Sequence, residues 1–308
     1  IIHGIKIINS CDKIVEVCEK NNVDEIIVAI RKMLPDFKIK PFNEFNGKGF
    51  LRHVLVKRGF ATNQVMVVLV TGIQNFPSKN NFVKALRKKH PNITTVVINV
   101  NDKRTSMVLG ERNIVVYGKG FIEDKLCGCT FRISPNSFYQ VNPVQTRKLY
   151  ERALEYADVE GGETVWDLYC GIGTISLYLA KKATGVTGIE SVNQAILDAR
   201  ENAEANGIQN CTFVTAKAEE WLPKWVKKGN SIDVAIIDPP RKGCETPALD
   251  ALIASGAERI VYVSCNPSTL ARDAKYLCDG GYEVKKIQPV DLFCQTWHVE
   301  TVVLFEKK

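Results

Sequence analysis

The chain has 308 residues, of which 45% are hydrophobic and 24% are charged. This composition is typical of a soluble globular protein with one large domain or two ordinary ones. No apolar run is long enough to span a bilayer, and the first ten residues lack the apolar core and cleavage site of a signal peptide. The sequence starts at Ile1 rather than at a methionine, so we expect the natural chain to extend upstream.

Ten cysteines are spread along the chain, several of them inside apolar runs where a thiol acts as a small buried hydrophobe. They do not resemble the disulfide framework of a small secreted domain, so we predict a cytoplasmic location. Residues 1–130 carry 21 basic and 11 acidic side chains, whereas residues 131–308 carry 20 and 23. This asymmetry favours a polyanion that contacts mainly the first part, and a solvated basic face is the alternative.

The first part of the chain has the pattern of an α+β domain. Helical periodicity covers residues 23–34 and 81–90, and strand-like runs cover 50–59, 64–72 and 93–101. We predict a small antiparallel sheet with helices packed on it.

The second part alternates strands with helices from about Thr146. Seven strands are predicted, at 164–169, 185–190, 211–217, 233–240, 259–267, 282–290 and 299–307. Helical patterns separate the first five strands, and the last two suit an antiparallel pair. The fold class predicted is α/β, with a Rossmann-like, mainly parallel seven-stranded sheet after a smaller α+β domain. The predicted domains are 1–135 and 136–308, and residues 136–145 are candidates for completing the first.

Ligands of such sheets bind outside the carboxyl ends of the strands, so strand ends are where chemistry is expected. The first strand runs into DLYCGIGT (167–174), where Gly171 and Gly173 permit a tight turn and close approach to a ligand. Glu190, at the end of the next strand, suits ribose hydroxyls. Ser176 replaces the third glycine of a dinucleotide motif, which favours S-adenosylmethionine over NAD. A structural glycine turn is the remaining alternative.

Two later strand ends carry groups suited to methyl transfer. Asp238 opens DPPRKG (238–243), but Arg241 stands where methyltransferases of amino groups usually carry an aromatic ring. Cys265 ends the next strand, and a thiolate beside a methyl donor suggests attack at C6 of uracil, which makes C5 nucleophilic. Considered alone, Cys265 also fits a buried core thiol.

The same reaction needs a base that removes the C5 proton so that the thiolate can leave. His298 and Glu300 both lie just before the last strand, and either can accept a proton. The unperturbed pKa of histidine favours His298, whereas Glu300 would need a partly apolar site that raises its pKa. The chemistry alone leaves both residues open.

Five stretches resemble the RNA uracil-5-methyltransferases that form 5-methyluridine. They are SFYQVNP (137–143), DLYCGIGT (167–174), DPPRKG (238–243), SCNPSTLARD (264–273) and QTWHVE (295–300). The details of VYVSCNPSTLARD and QTWHVE look most like the branch that acts on 23S ribosomal RNA. The resemblance implies a class I methyltransferase domain, S-adenosylmethionine as cofactor, an RNA-contacting first domain and 23S ribosomal RNA as partner. We expect a monomer that does not bind membranes.

The resemblance also implies roles for single residues. Cys265 is similar to the family's nucleophile, and Glu300 is similar to its base, which decides against His298. The positions expected to bind the cofactor are Gln140, Tyr169, Gly171, Gly173, Glu190 and Asp238. The positions expected to contact the flipped uridine are Phe138, Gln140, Asp238 and Arg241.

Two departures from the family stand out. Many ribosomal members begin with an oligonucleotide-binding barrel that this sequence lacks, and many carry an iron–sulfur cluster. Cys11 or Cys18 is a candidate leftover ligand, so such a cluster is expected only in a longer natural chain. Cys127 and Cys129 suit a turn better than a metal site, and no metal is predicted in the catalytic domain.

Other functions compete with this one. Transfer RNA is an alternative substrate for the same reaction. RNA cytosine-5-methyltransferases share the covalent chemistry but place their nucleophile after a proline, whereas Cys265 follows Ser264. An inactive RNA-binding module would have lost the thiol or the base, and both are present. An NAD-dependent oxidoreductase would need the missing third glycine and groups for hydride transfer.

Overall fold

The computed structural model describes residues 25–73, 76, 78–103, 107–140, 142–293 and 296–308, so the candidate iron–sulfur ligands Cys11 and Cys18 lie outside the described residues. The chain forms two compact units. One holds the chain up to Lys125 together with Arg132–Asn136, and the other holds Leu126–Phe131 and Ser137–Lys308. Among the described helices, none combines the length and the apolar character needed to cross a bilayer.

The first unit is built on a four-stranded sheet with two helices. Its elements in chain order are α1 (Glu25–Met33), β1 (Leu51–Arg58), β2 (Val65–Thr71), α2 (Lys79–Lys89), β3 (Ile93–Val100) and β4 (Arg112–Tyr117). The strands lie side by side in the order β1-β2-β3-β4.

The direction of β3 differs from the sequence prediction. β1 pairs with β2 and β3 pairs with β4 in antiparallel fashion, but β2 and β3 are parallel. The predicted antiparallel sheet was therefore wrong for this central pair. The reason is α2, which carries the chain back so that β3 starts at the same end of the sheet as β2.

The core of the first unit lies between its sheet and its helices. All seven residues of β2 are buried, and Ile30, Phe82 and Leu86 from the two helices join the same apolar cluster. The outer side of α2 is strongly basic, because five of its eleven residues are lysine or arginine and none is acidic.

A hairpin of β5 (Ile122–Leu126) and β6 (Cys129–Ile133) follows β4 in the chain, with positive φ at its turn residues Cys127 and Gly128.

The second unit is a seven-stranded sheet flanked by helices. Its elements are α3 (Pro143–Ala157), β7 (Thr164–Leu168), α4 (Thr174–Leu179), β8 (Gly185–Glu190), α5 (Asn193–Ala205), β9 (Cys211–Thr215), α6 (Ala218–Val226), β10 (Val234–Ile237), α7 (Thr246–Ser255), β11 (Arg259–Ser264), α8 (Pro267–Asp279), β12 (Tyr282–Val290) and β13 (Glu300–Lys307). Successive residues of its strands enter two separate cores. Val261 and Val263 face the cluster that includes α3, α4 and α5, whereas Ile260 and Tyr262 face the cluster that includes α6, α7 and α8.

The strand order is β12-β13-β11-β10-β7-β8-β9. The five strands from β11 to β9 are parallel, and β13 is antiparallel to both of its neighbours. The predicted α/β fold with a mainly parallel sheet and an antiparallel final pair is therefore confirmed. The chain reverses its direction of travel across the sheet between β7 and β10, and this switch point is where such folds bind ligands.

Candidate active site

Three strand ends meet at one edge of this sheet. Asp238 follows β10, and Cys265 follows the neighbouring strand β11. β13 runs in the opposite direction, so its first residue, Glu300, comes to the same edge, and Thr301 lies opposite Ser264. The antiparallel insertion of β13 is what brings the last of the predicted catalytic residues to the other two.

Cys265 sits on a sharp turn from strand to helix. Asn266 caps α8 by accepting a hydrogen bond from the backbone N–H of Ser268 at 3.1 Å, and Pro267 occupies the first helical position. The backbone N–H of Asn266 also donates to the Ser264 hydroxyl at 3.1 Å. The Cys265 thiol is thereby held at the helix N-terminus and remains half-buried, which argues against a purely core role.

The charges around the thiol oppose one another. Burial raises the pKa of Cys265 above its usual value, and the negative charges of Glu300 and Asp238 raise it further, while Arg241 lowers it. The resting thiol is therefore protonated at neutral pH, and its ionisation depends on the state of both carboxyl groups.

Glu300 is only 4% exposed, and burial raises the pKa of its carboxyl group to about 7 although Arg241 opposes the shift. Burial also raises the pKa of Asp238 well above its usual value, with the charges of Glu300 and Asp167 adding to the effect. Glu300 is buried and Asp238 half-buried, and because the charge of Glu300 disfavours ionisation of Asp238, at least one of the two carboxyl groups is readily protonated near neutral pH.

The two glycines of the turn after β7 have different surroundings. Gly171 has φ +55°, and a Cβ placed on it would meet no atom within 4 Å, so open space lies above this backbone. Gly173 has φ +81°, and a Cβ there would lie 3.1 Å from the Phe213 ring. Gly171 therefore leaves room for a ligand, whereas Gly173 allows α4 to pack closely on the sheet.

Two carboxylates flank this open space. Asp167 is buried, its Oδ2 accepts a hydrogen bond from the Ser176 hydroxyl at 2.5 Å, and its Oδ1 has no hydrogen-bond partner among the described residues. Burial raises the pKa of Asp167 to about 7. Glu190 is fixed through Oε1 by the backbone N–H of Val192 at 2.8 Å and the Ser191 hydroxyl at 3.0 Å. A buried acceptor, a fixed carboxylate and an open glycine backbone fit the polar groups of S-adenosylmethionine.

Comparison with known proteins places this site in a family. A family model described as tRNA (Uracil-5-)-methyltransferase matches residues 61–308. The chain belongs to this family.

Relatives and a solved structure agree with this assignment. Proteins named as uncharacterized RNA methyltransferases from Oceanobacillus iheyensis and Caldanaerobacter subterraneus subsp. tengcongensis are 49% and 47% identical to the chain and match 91% and 92% of it. The chain spans 61% and 63% of their lengths. The crystal structure of the Pyrococcus abyssi tRNA (uracil-54, C5)-methyltransferase with S-adenosyl-L-homocysteine has a TM-score of 0.77 and 33% identity, covering 92% of this chain and 67% of that one.

Tyr169, in the DLYCGIGT motif of this family member, has a strained backbone. Its φ is +68°, in the left-handed region that residues other than glycine rarely adopt, and its N–H donates to the carbonyl of Ile189 at 2.8 Å. The phenol lies against Cys244, and burial raises the pKa of Tyr169. The strained backbone thus fixes the start of the glycine turn, and direct contact between Tyr169 and the cofactor stays a prediction.

Phe138 and Gln140 precede α3, on the SFYQVNP stretch. Phe138 is 69% exposed, and Gln140 is half-buried. Asn142 caps α3, and its side-chain amide donates to the carbonyl of Leu292 at 3.1 Å. This bond ties the stretch to the segment before Glu300, but no hydrogen bond or ring contact described for these residues joins Phe138 or Gln140 to Cys265 or Glu300.

His298, the other candidate base, is less buried than Glu300. Its Nε2 is 3.4 Å from the guanidinium of Arg241, and it is half-buried, whereas Glu300 is buried. Glu300 therefore has the raised pKa that the chemistry requires of it, while His298 lies beside a cation.

The sequence analysis missed the residues that hold the loop of Asp238 and Arg241. The Asn266 amide and the Thr269 hydroxyl both donate to the carbonyl of Arg241, at 3.0 and 3.2 Å. Asp273 is fully buried and accepts hydrogen bonds from the backbone N–H of Cys244 at 2.8 Å and from the Tyr262 hydroxyl at 2.7 Å.

Arg272 also holds this loop by donating to the carbonyls of Lys242 and Cys244, at 2.9 and 3.2 Å. The side chains of Asn266, Thr269, Arg272 and Asp273 are called the clamp below. A Cβ on Gly243 would lie 2.5 Å from the side chains of both Arg272 and Asp273, so only glycine fits at that position. A signal was present in STLARD, since Thr269, Arg272 and Asp273 are spaced to share one face of a helix. The spacing does not say what that face contacts.

Proposed function

We propose that this protein methylates C5 of uracil in RNA, with S-adenosylmethionine as the methyl donor, and so forms 5-methyluridine. The observation that carries the proposal is the meeting of a half-buried thiol, Cys265, with a buried carboxyl group of pKa about 7, Glu300, at the ligand-binding edge of a methyltransferase sheet. The activity for which the P. abyssi enzyme is named, methylation at C5 of uracil, supports it.

The first step is addition of the Cys265 sulfur to C6 of the flipped uracil. The thiol, which is half-buried and reachable by solvent, gives its proton to water as the S–C6 bond forms. The electron pair of the C5=C6 bond moves onto C5 and O4. Asp238, whose raised pKa favours its protonated form, is suited to donate a hydrogen bond to a carbonyl oxygen of the base. Arg241 adds a positive charge that favours the developing anion.

Glu190, Asp167 and the open backbone at Gly171 would hold S-adenosylmethionine, which would supply an electrophilic methyl group for C5. Glu300 then removes the proton that remains on C5. The electrons of that C–H bond re-form the C5=C6 double bond, and the Cys265 thiolate leaves. A carboxylate with a pKa of about 7 is a stronger base than an ordinary glutamate and is still substantially ionised at neutral pH.

The RNA proposed as substrate is 23S ribosomal RNA. This choice rests on VYVSCNPSTLARD and QTWHVE, which look most like the ribosomal branch of the family. Transfer RNA is the second candidate, because the P. abyssi relative is named for a transfer RNA uridine. In either case the basic first part of the chain would contact phosphates.

Tritium release tests this proposal directly. The protein is mixed with S-adenosylmethionine and RNA transcribed with 5-tritiated uridine, using unmodified ribosomal and transfer RNA separately. Cofactor-dependent release of tritium is expected from ribosomal RNA and absent with Cys265→Ser, which should still bind the cofactor. Release from transfer RNA alone would mean that the substrate is transfer RNA and not ribosomal RNA. The same assay is run with a version of the protein that is extended upstream. If both proteins bind the cofactor and neither releases tritium from either RNA, uracil C5 is not the target.

A further inference from the structure

The indole of Trp297, three residues before Glu300, is almost completely exposed. The four tryptophans of the chain are all in described segments, and Trp166, Trp221 and Trp225 pack on one another with ring centroids 4.1 to 6.0 Å apart. Trp297 is 90% exposed. A large flat apolar side chain left in water next to a reaction site is a feature of a ligand contact.

A series of neighbouring groups connects this indole to the site. The Trp297 and His298 ring centroids are 5.5 Å apart, His298 Nε2 is 3.4 Å from the Arg241 guanidinium, and the charge of Arg241 acts on Glu300 and Cys265. The carbonyl of Arg241 is itself held by α8. An aromatic face and a cation thus lie one after the other on the way to Glu300 and Cys265.

The backbone under Trp297 is tied down. The Thr296 N–H and hydroxyl both donate to the carbonyl of Phe293, at 3.1 and 2.7 Å, and the His298 N–H donates to the Thr296 hydroxyl at 3.2 Å. The Phe293 ring meets the His298 ring edge to face, with centroids 6.3 Å apart. The described residues on either side of the indole are therefore held to one another, which lowers the entropy lost when a ligand stacks on it.

We propose that Trp297 and Arg241 form a subsite for the nucleotide next to the target uridine, whose base stacks on the indole while the guanidinium contacts its phosphate. This inference rests on the proposed function, because it needs an RNA whose uridine has left the stack. Extruding one base exposes the face of its neighbour, and a tryptophan is suited to cover that face. Stacking tolerates any base, so the subsite would stabilise the flipped state without reading sequence.

Binding measurements without methyl transfer test the contact. The probe is a short oligouridylate with a fluorescent label at one end, and its anisotropy gives the affinity of the parent and of every variant. In the parent, stacking on the one exposed indole should also quench tryptophan fluorescence. Trp297→Phe keeps an aromatic face and should bind within about threefold of the parent, whereas Trp297→Leu should bind roughly tenfold more weakly. Ile287→Ala, at an apolar side chain of the same unit that is 63% exposed, is the matched control and should bind like the parent.

A second probe distinguishes stacking from other effects. It has the same length and one central uridine, but its flanking nucleotides are abasic. The parent should bind this probe roughly tenfold more weakly than it binds oligouridylate. Trp297→Leu should bind the abasic probe as weakly as the parent does. Parent-like binding of Trp297→Leu to oligouridylate, or an equal loss with both probes, would overturn the subsite. Absence of tritium release by a parent protein that shows the predicted binding pattern would instead remove the proposed reaction and leave the stacking contact standing.

Discussion

At the scale of single residues, the carboxyl group of Glu300 decides whether the proposed reaction can finish. The first two steps need a thiol and a methyl donor, but the product stays attached to Cys265 until the C5 proton leaves. Burial gives Glu300 the basicity for this task, and Arg241 keeps its pKa from rising further. A single buried side chain thus separates methylation from release.

Glu300→Gln should transfer the methyl group but fail to release the RNA. Glutamine has nearly the same shape and cannot accept the proton, so a covalent adduct between protein and RNA should accumulate. The adduct is measured by denaturing electrophoresis with labelled RNA. His298→Gln is the matched control and should turn over. Normal product release by Glu300→Gln together with adduct formation by His298→Gln would assign the base to His298.

The pH dependence of release follows from the pKa of Glu300. The carboxylate is the active form, so the rate should rise with pH through about 7 and reach a plateau above it. Arg241→Met removes the charge that lowers the pKa of both Glu300 and Cys265, so the midpoint should move to higher pH. Single-turnover rates across this range measure the midpoint, and an unchanged midpoint in Arg241→Met would mean that Arg241 does not act on the base.

At the scale of elements, α8 joins the thiol to the loop of Asp238 and Arg241. Cys265 directly precedes its cap residue Asn266. Thr269, Arg272 and Asp273, along the helix, hold the loop backbone. The distance between nucleophile and loop is thereby set by one rigid helix. Geometry of this kind matters because small displacements of reacting groups slow reactions strongly.

Asp273→Asn should loosen this arrangement. The buried carboxylate accepts bonds from Cys244 and Tyr262, and its loss leaves donors unpaired at a cost of about 1 to 3 kcal/mol of folding free energy. We expect kcat to fall at least tenfold while cofactor affinity changes little, as measured by steady-state kinetics and calorimetry. Asp279→Asn removes an exposed ion pair with Lys275 on the same helix and should change neither quantity. Equal kcat values in the two variants would show that the clamp does not position the loop.

The elements also show how far the sequence leads. The buried parallel strands β10 and β11 were predictable because such strands are continuous apolar runs, and the ends of the predicted strands marked Asp238, Cys265 and Glu300. The direction of β3 was not predictable, because the residue pattern of a strand does not show at which end of the sheet that strand starts. β4 and β5 were missed because their sequences, RNIVVY and IEDKL, are short and carry exposed or charged residues. Asp273 and Trp297 needed the structure, because only it shows what a side chain contacts.

At the scale of the whole molecule, charge is divided unevenly along the chain. The excess of basic residues lies in residues 1–130, and α2 alone contributes five cations without an acidic residue. In the proposed enzyme, chemistry belongs to the second unit and phosphate binding mainly to the first. Affinity for RNA and affinity for the cofactor should therefore respond to different mutations.

Replacing the exposed Lys84, Lys88 and Lys89 of α2 with glutamine should weaken RNA binding and reduce its dependence on salt. Removing one lysine that neutralises a phosphate lowers the slope of log K against log salt by about 0.7 to 0.9, so the triple change should lower it by roughly two. Lys224, Lys227 and Lys228 in the second unit are the matched control. Cofactor affinity should stay constant in both variants. Equal slopes for the parent and the α2 variant would place the phosphate-binding residues elsewhere.

The inner position of β13 has a consequence for how the protein is made. β13 is the last of the seven strands to be synthesised, yet it lies between β11 and β12, and among the described strands β12 pairs with β13 alone. Until β13 has left the ribosome, the sheet is open beside Cys265 and the proposed base, Glu300, is missing. A partly synthesised chain therefore holds no finished site with which to attack an RNA, including the ribosomal RNA that surrounds it.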